Sequence, residues 1–201
     1  MSLALGGRGC RKAGANAGPR ILGYHRRFRF FLSSRCAMTF DISFRQARPE
    51  DADRCYEIEI AAYEGDEAAT REKIALRIDQ CPQGFLIMER AGRIMGFINS
   101  GCAHDVVMSD EAFKQLLGHD PEAVNVVIMS VVLDPAEQGR GYSTRLMATF
   151  VQRMRDQGKA TIHLMCKAHH IELYRRFGYQ YVKPSESDHG GMAWHEMLMV
   201  L

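Results

Sequence analysis

The stretch from Val131 to Thr144 reads Val-Val-Leu-Asp-Pro-Ala-Glu-Gln-Gly-Arg-Gly-Tyr-Ser-Thr and has the makings of an anion site. A β-branched apolar run ends, Pro135 turns the chain, and Gly139-Arg140-Gly141 leads into small hydroxyl residues that open a helix. N–H groups at a helix start lack partners inside the helix, and the helix dipole adds positive potential there. Such a turn can cradle a pyrophosphate. Glycine suits the place because a Cβ would hold the phosphate away. An isolated Gly-x-Gly is more often a plain strand–helix turn. Other phosphate loops fit worse: Gly158-Lys159 is followed by Ala160, and Thr144 stands where a dinucleotide fingerprint needs a third glycine.

Other residues can move protons. Tyr174 shares a helix face with Ile171 and Phe177 and is equally explained by packing, Glu67 follows Asp66 in a polar segment that suits a solvated charge, and Ser130, in the longest apolar run, is too weakly basic to act alone. His104, His163, His169 and His170 are possible relays, although a lone histidine is more often structural. Adjacent His169 and His170 cannot share one helical face, so no metal pair is expected there. The six cysteines at 10, 36, 55, 81, 102 and 166 form no CxxC pair, which leaves no zinc knuckle or redox motif and favours a reducing compartment.

The elements that must position these groups follow from pattern. Ile42 to Arg45 alternates as a strand. Pro49 and the acids after it start a helix expected to turn Tyr56, Ile60 and Tyr63 inward and to end at Gly65. A second helix runs from about Thr70 to Gln80, before Pro82. Phe85–Met88 and Ile94–Asn99 pair as a hairpin around Ala91-Gly92. Ser109 is expected to cap a short helix through Leu117, closed by Gly118. Val124–Leu133 reads as a buried strand, and Leu146, Met147, Phe150, Val151 and Met154 mark the core face of a helix. Strands at 161–166, 179–182 and 194–200 complete an α/β domain with a mixed sheet.

In this context the motif resembles the acetyl-CoA loop of the GNAT acetyltransferases: strand, proline, then Gln138-x-x-Gly141-x-Ser143. Leu173-Tyr174-Arg175-Arg176-Phe177-Gly178-Tyr179 resembles the family's second hallmark, in the right order and spacing. The resemblance spans residues 41–201 and implies a single GNAT-like domain with a central mixed, mostly antiparallel sheet flanked by helices. Tyr56-Glu57-Ile58-Glu59, Gln80-Cys81-Pro82, Met165-Cys166 and Ser187-x-His189-Gly190…Trp194-x-Glu196-Met197 look like the arylalkylamine (serotonin) N-acetyltransferase branch.

The resemblance implies acetyl-CoA as cosubstrate, held by Val131, Val132 and Leu133 along the strand and by Gln138, Gly139, Arg140, Gly141, Tyr142, Ser143 and Thr144 in the loop. It implies Tyr174 as general acid and the Val131 N–H as oxyanion donor. The branch's two strand histidines are replaced by Val127 and Met129. The loop around Asp66-Glu67 is similar to one that supplies a carboxylate base in insect members, so Glu67 is the expected base and an acidic mouth is expected to attract a cationic amine.

The implied function is acetyl transfer to the primary amine of a small molecule, an arylalkylamine foremost. Polyamine, peptide or protein amines are the same-fold alternative, and a non-catalytic acyl-CoA-binding module is the other.

Composition sets the outer bounds. The chain has 201 residues, 46% hydrophobic and 25% charged, the balance of a globular protein with no membrane-length apolar run. Its net charge of +2 divides unevenly. Residues 1–40 carry eight Lys/Arg and no acid, while residues 41–201 carry 18 basic and 24 acidic side chains, net −6. The basic leader is read as disordered or a mitochondrial presequence, as a segment preceding a start at Met38, or as a basic arm. The acidic domain argues against nucleic acid as partner. The expected location is the cytoplasm, or the mitochondrion if the leader is a presequence. No membrane partner or metal is expected, and nothing in the sequence sets an oligomeric state.

Overall fold

The structure, a computed structural model, describes residues 42–63, 67–187 and 189–201. The readings of the leader, of Gly65 and of Asp66 fall outside the described residues.

Seven strands form one sheet: β1 (Ile42–Gln46), β2 (Phe85–Arg90), β3 (Arg93–Ala103), β4 (Asn125–Leu133), β5 (Thr161–Cys166), β6 (Gln180–Pro184) and β7 (His195–Val200). Their spatial order is β1-β2-β3-β4-β5-β7-β6. Every pairing is antiparallel except β4 with β5. Among the described residues four α-helices accompany the sheet: α1 (Ala52–Ala62), α2 (Arg71–Gln80), α3 (Tyr142–Asp156) and α4 (Ile171–Arg176). This is the mixed, mostly antiparallel α/β architecture expected from the sequence.

The two faces of the sheet carry separate cores. Leu146, Met147, Phe150, Val151 and Met154 of α3, all buried, pack on one face with Leu86, Met88, Ile98 and Ile128. Cys55 and Ile58 of α1 and Ile74 and Ile78 of α2 cover Phe85, Ile87 and Phe97 on the other. Thr70 caps α2 by accepting the Lys73 N–H at 3.3 Å. The hairpin joining β2 and β3 turns at Ala91 (φ 53°) and Gly92 (φ 76°), two left-handed residues as a type I′ turn requires.

Two local expectations are corrected. Ile60 is not turned inward: it is 50% exposed, because the buried face of α1 is Ala52, Cys55, Ile58 and Glu59. Ser109 caps no helix. The Asp110 carboxylate instead accepts the Ala112 N–H at 2.9 Å, the turn tightens to a 3-10 helix over Ala112–Gln115, and Leu116 (φ 59°) ends it.

Two irregularities of β4 shape the site. Ser130 pairs with Asn99 but Ile128 with Ser100, so Met129 is an extra, bulged residue. The parallel pairing with β5 covers only Asn125 to Val127. Beyond it the two strands part, leaving the β4 edge from Ile128 to Leu133 without a strand partner among the described residues.

Candidate active site

Where β4 and β5 part, a groove of about 520 Å³ opens. Val131, Val132 and Leu133 form one wall, Gln138, Gly139, Gly141, Tyr142 and Ser143 the end, and Cys166, Lys167, His169, His170 and Leu173 the opposite side. The Val131 carbonyl accepts the Tyr63 hydroxyl at 3.3 Å and the Leu133 carbonyl accepts the Gln138 side-chain amide at 3.3 Å. Both carbonyls therefore face the open edge. In a strand the N–H and C=O of one residue point the same way, so an extended ligand can add here as another strand would. Each carbonyl keeps a second lone pair for it.

The loop beyond the strand is fixed by charge. The Asp134 carboxylate accepts the Ala136 N–H at 3.0 Å and pairs with Arg54 and Arg93, and this lowers its pKa. Glu137, 5% exposed, pairs with Arg90 at 3.0 Å and Arg140 at 3.3 Å. Gly139 (φ 74°) and Gly141 (φ 75°) are left-handed, and a Cβ on either would meet nothing within 4 Å. Glycine is required here by backbone conformation and keeps the space open. Gly141 caps α3 without a side-chain hydrogen bond, and the first turn of α3 has no acid. The leading N–H groups of α3 are thus left for an anion. Arg140 and Thr144 do not line the groove; Arg140 is drawn off by Glu137.

A second cavity of about 380 Å³ lies against the bulge. Tyr63, Glu67, Val131, Met165, Tyr174 and Trp194 line both spaces, so the two meet at these residues. Tyr174 is held edge-on by Phe177 (6.1 Å) and Tyr179 (5.6 Å). No protein group among the described residues hydrogen-bonds its hydroxyl. Burial, and then the nearby Cys166, raise its pKa well above the ordinary tyrosine value, so the phenol keeps its proton across physiological pH. Cys166 itself is pushed up to about 11 by burial.

Glu67 is at the same junction. One carboxylate oxygen pairs with Lys167 at 2.8 Å, and the other is buried without a partner. The His189–Gly191 turn supports it: His189 Nε2 lies 3.3 Å from the Glu67 carbonyl, and a Cβ on Gly190 would come within 2.8 Å of Glu67 Cγ. Trp194 donates to the His189 carbonyl at 2.8 Å and fixes that turn.

Sequence reasoning missed a third group. Glu59, 1% exposed, accepts the Ala69 N–H at 3.1 Å and the Ser130 hydroxyl at 2.9 Å through one oxygen, while its other oxygen has no partner. Desolvation raises its pKa, against the opposing effect of both hydrogen bonds and of Arg77. Arg77, 3% exposed, donates to Asn99 Oδ1 and the Lys114 carbonyl, and burial lowers its pKa to about 10. The acidic mouth expected from Asp66 and Glu67 falls partly outside the described residues. Among the described lining residues Glu59, Glu67 and Asp110 are balanced by Lys73, Arg77 and Lys114, so attraction of a cation depends on local carboxylates rather than net charge.

The candidate histidine relays separate. His169 and His170 border the groove, whereas His163 bonds Thr161 at 2.9 Å and His104 pairs with Asp120 at 2.8 Å, and neither lines either space. No group of three His, Cys, Asp or Glu side chains among the described residues could hold a metal ion. No helix among them is long and apolar enough to cross a membrane.

Known structures share this fold. The loading GNATL domain of CurA from Lyngbya majuscula is similar at a TM-score of 0.71 and 16% identity, covering 80% of this chain and 98% of that one. The GphF GNAT-like decarboxylase in complex with isobutyryl-CoA gives 0.66 and 15%, with 79% and 98% covered. YncA, a putative acetyltransferase from Salmonella typhimurium with its cofactor acetyl-CoA, gives 0.59 and 20%, with 80% and 94% covered. No curated protein matches in sequence. Residues 52–179 match the Acetyltransferase (GNAT) family. With an unpaired β4 edge running into a glycine-built helix start, and most of its length within that match, the chain belongs to the GNAT family of acyl-CoA-dependent acyltransferases.

Proposed function

We propose that the protein transfers the acetyl group of acetyl-CoA to the primary amine of a small arylalkylamine. The observation that carries this reading is the meeting of the two spaces at Tyr63, Glu67, Val131 and Tyr174. A thioester laid along β4 would present its carbonyl where a buried carboxylate and an unpartnered phenol converge. Val131 to Leu133 would hold the pantetheine arm, and the N–H groups from Gly139 to Thr144 the pyrophosphate, with Gln138 and Tyr142 beside it. Arg140 and Thr144 then contribute main chain rather than side chains. The acceptor cavity has Tyr56, Phe113, Met129 and Trp194 among its walls, which suit an aromatic ring, and Glu59 and Glu67 for an ammonium.

An alkylammonium with pKa near ~10 must first lose a proton, a step of roughly 4 kcal/mol at neutral pH. The unpartnered oxygen of Glu67 takes it. The amine lone pair attacks the thioester carbon, and the Val131 N–H stabilises the resulting oxyanion. As the C–S bond breaks, the sulfur takes the Tyr174 proton and the nitrogen gives up its second proton; of the two protons taken from nitrogen, one restores Tyr174 and the other goes to water. Burial raises phenol and thiolate alike, so the transfer follows the charge developing on sulfur. The four described cysteines are free thiols, which fits a reducing compartment; the cytoplasm is the proposed location.

Thiol release from acetyl-CoA is the test, with tryptamine, tyramine, spermidine and a peptide amine as acceptors. The expected order puts the aromatic amines first by kcat/KM, with Glu67→Gln lowering kcat about 100-fold. Turnover with no amine contradicts the reading. Spermidine or peptide leading shifts the acceptor class, and acetyl-CoA binding without turnover marks a non-catalytic acyl-CoA module.

A further inference from the structure

We propose that Glu59 and Ser130 form a second proton-accepting pair, which takes the proton of the tetrahedral intermediate while Glu67 takes that of the incoming ammonium. This rests on the amine acetyltransferase reading above. Turning an ammonium into an amide removes two protons from nitrogen, one before attack and one after; with Glu67 taking the first and Tyr174 serving the sulfur, an acceptor close to the intermediate would take the second.

The geometry singles out the second acceptor. Ser130 follows the bulged Met129 and precedes Val131, and it lines the same cavity as Val131, Glu67 and Tyr174. Its hydroxyl donates to Glu59 at 2.9 Å, which leaves its oxygen lone pairs for an N–H in the cavity that both residues line. Serine alone is a poor base; with a carboxylate behind it, it passes a proton on. The N–H proton moves to Ser130 Oγ as Ser130's own proton moves to Glu59. The C–S electron pair leaves on sulfur, which takes the Tyr174 proton. One of the two carboxylic acids reprotonates Tyr174, and the other proton goes to water. Glu59 has a further buried oxygen without a partner, and desolvation makes it a stronger base than a surface carboxylate. The groups around it are Arg77 from α2, Cys55 on its own helix and the Tyr63 phenol, of which only Arg77 favours the charged form.

A purely structural Glu59 would serve to anchor Ala69 and Ser130. Glu59→Gln separates the two roles, since the amide oxygen still accepts both hydrogen bonds but no proton. On the full chain with acetyl-CoA and the best amine of the panel, Glu59→Gln is expected to lower kcat about 100-fold and remove one acid-side inflection from its pH profile. KM for acetyl-CoA should stay within about twofold. Ser130→Ala should lose about as much, the double variant little more, and Ser130→Thr should recover most of the rate because the hydroxyl is kept. Full turnover by Glu59→Gln with the inflection retained overturns the pair and leaves the function standing. Absence of wild-type turnover with every amine overturns both.

Discussion

The groove along β4 and the cavity beside the bulge are built from different parts of the chain. The groove offers main chain: the open edge at Val131 and Leu133, and the N–H groups that Gly139 and Gly141 leave clear. The cavity offers side chains gathered from α1, the segment after it, α2, the 107–114 stretch, β4, β5 and the C-terminal turn. A carrier common to a whole family can be met by backbone geometry, which many sequences can encode. The proposed acceptor would be met by side chains: Val127 and Met129 can take no proton, while Glu59, Ser130 and Glu67 line the cavity as the proposed proton acceptors.

The comparison breaks most sharply at the junction. Tyr174→Phe keeps the edge-on packing against Phe177 and Tyr179 and removes only the proton donor. It should lower kcat by about 10²- to 10⁴-fold while acetyl-CoA binding, measured by calorimetry, stays within about twofold. An unchanged kcat would move Tyr174 to the packing role alone.

Gly141→Val tests the groove side. A β-branched residue at φ 75° costs about 1–2 kcal/mol in backbone strain and fills space kept open for the ligand. KM for acetyl-CoA should rise about tenfold or more, with KM for the amine unchanged. Equal rises in both would show that the two spaces do not divide the work.

The same contrast explains what the sequence could reveal. The loop at 139–144 was legible because glycine type and spacing report main-chain conformation directly: both glycines are left-handed, and a Cβ on either would enter open space. α3 was legible because five apolar residues repeat with its turn and are all buried. Ile60 misled because it is apolar yet lies at the cavity mouth, half exposed. Glu59 carried a signal that went unused. Cys55, Ile58 and Glu59 are spaced i, i+3, i+4, so a carboxylate sits on the buried face of α1, where an uncompensated charge has a cost and calls for a reason. The bulge at Met129 and the parting of β4 from β5 are long-range pairings, and no local pattern encodes them.

The smallest effect concerns stability. Because the pKa of Glu59 is raised in the folded protein, the fold holds that proton where the unfolded chain has released it. Its contribution is whole below the ordinary glutamate value and declines as pH rises through the raised one. Glu59→Gln removes this dependence, so in urea denaturation the variant should gain on the wild type as pH rises above the ordinary glutamate value of about 4.3. A constant difference would mean that Glu59 titrates as a surface carboxylate does.

If the open edge of β4 and the helix start at Gly141 receive an acyl-CoA, titration calorimetry of the folded chain with acetyl-CoA will show it. Saturable heat is expected at one ligand per chain, weakened in Gly141→Val and kept in Glu59→Gln. No heat from wild-type protein that is demonstrably folded would contradict it.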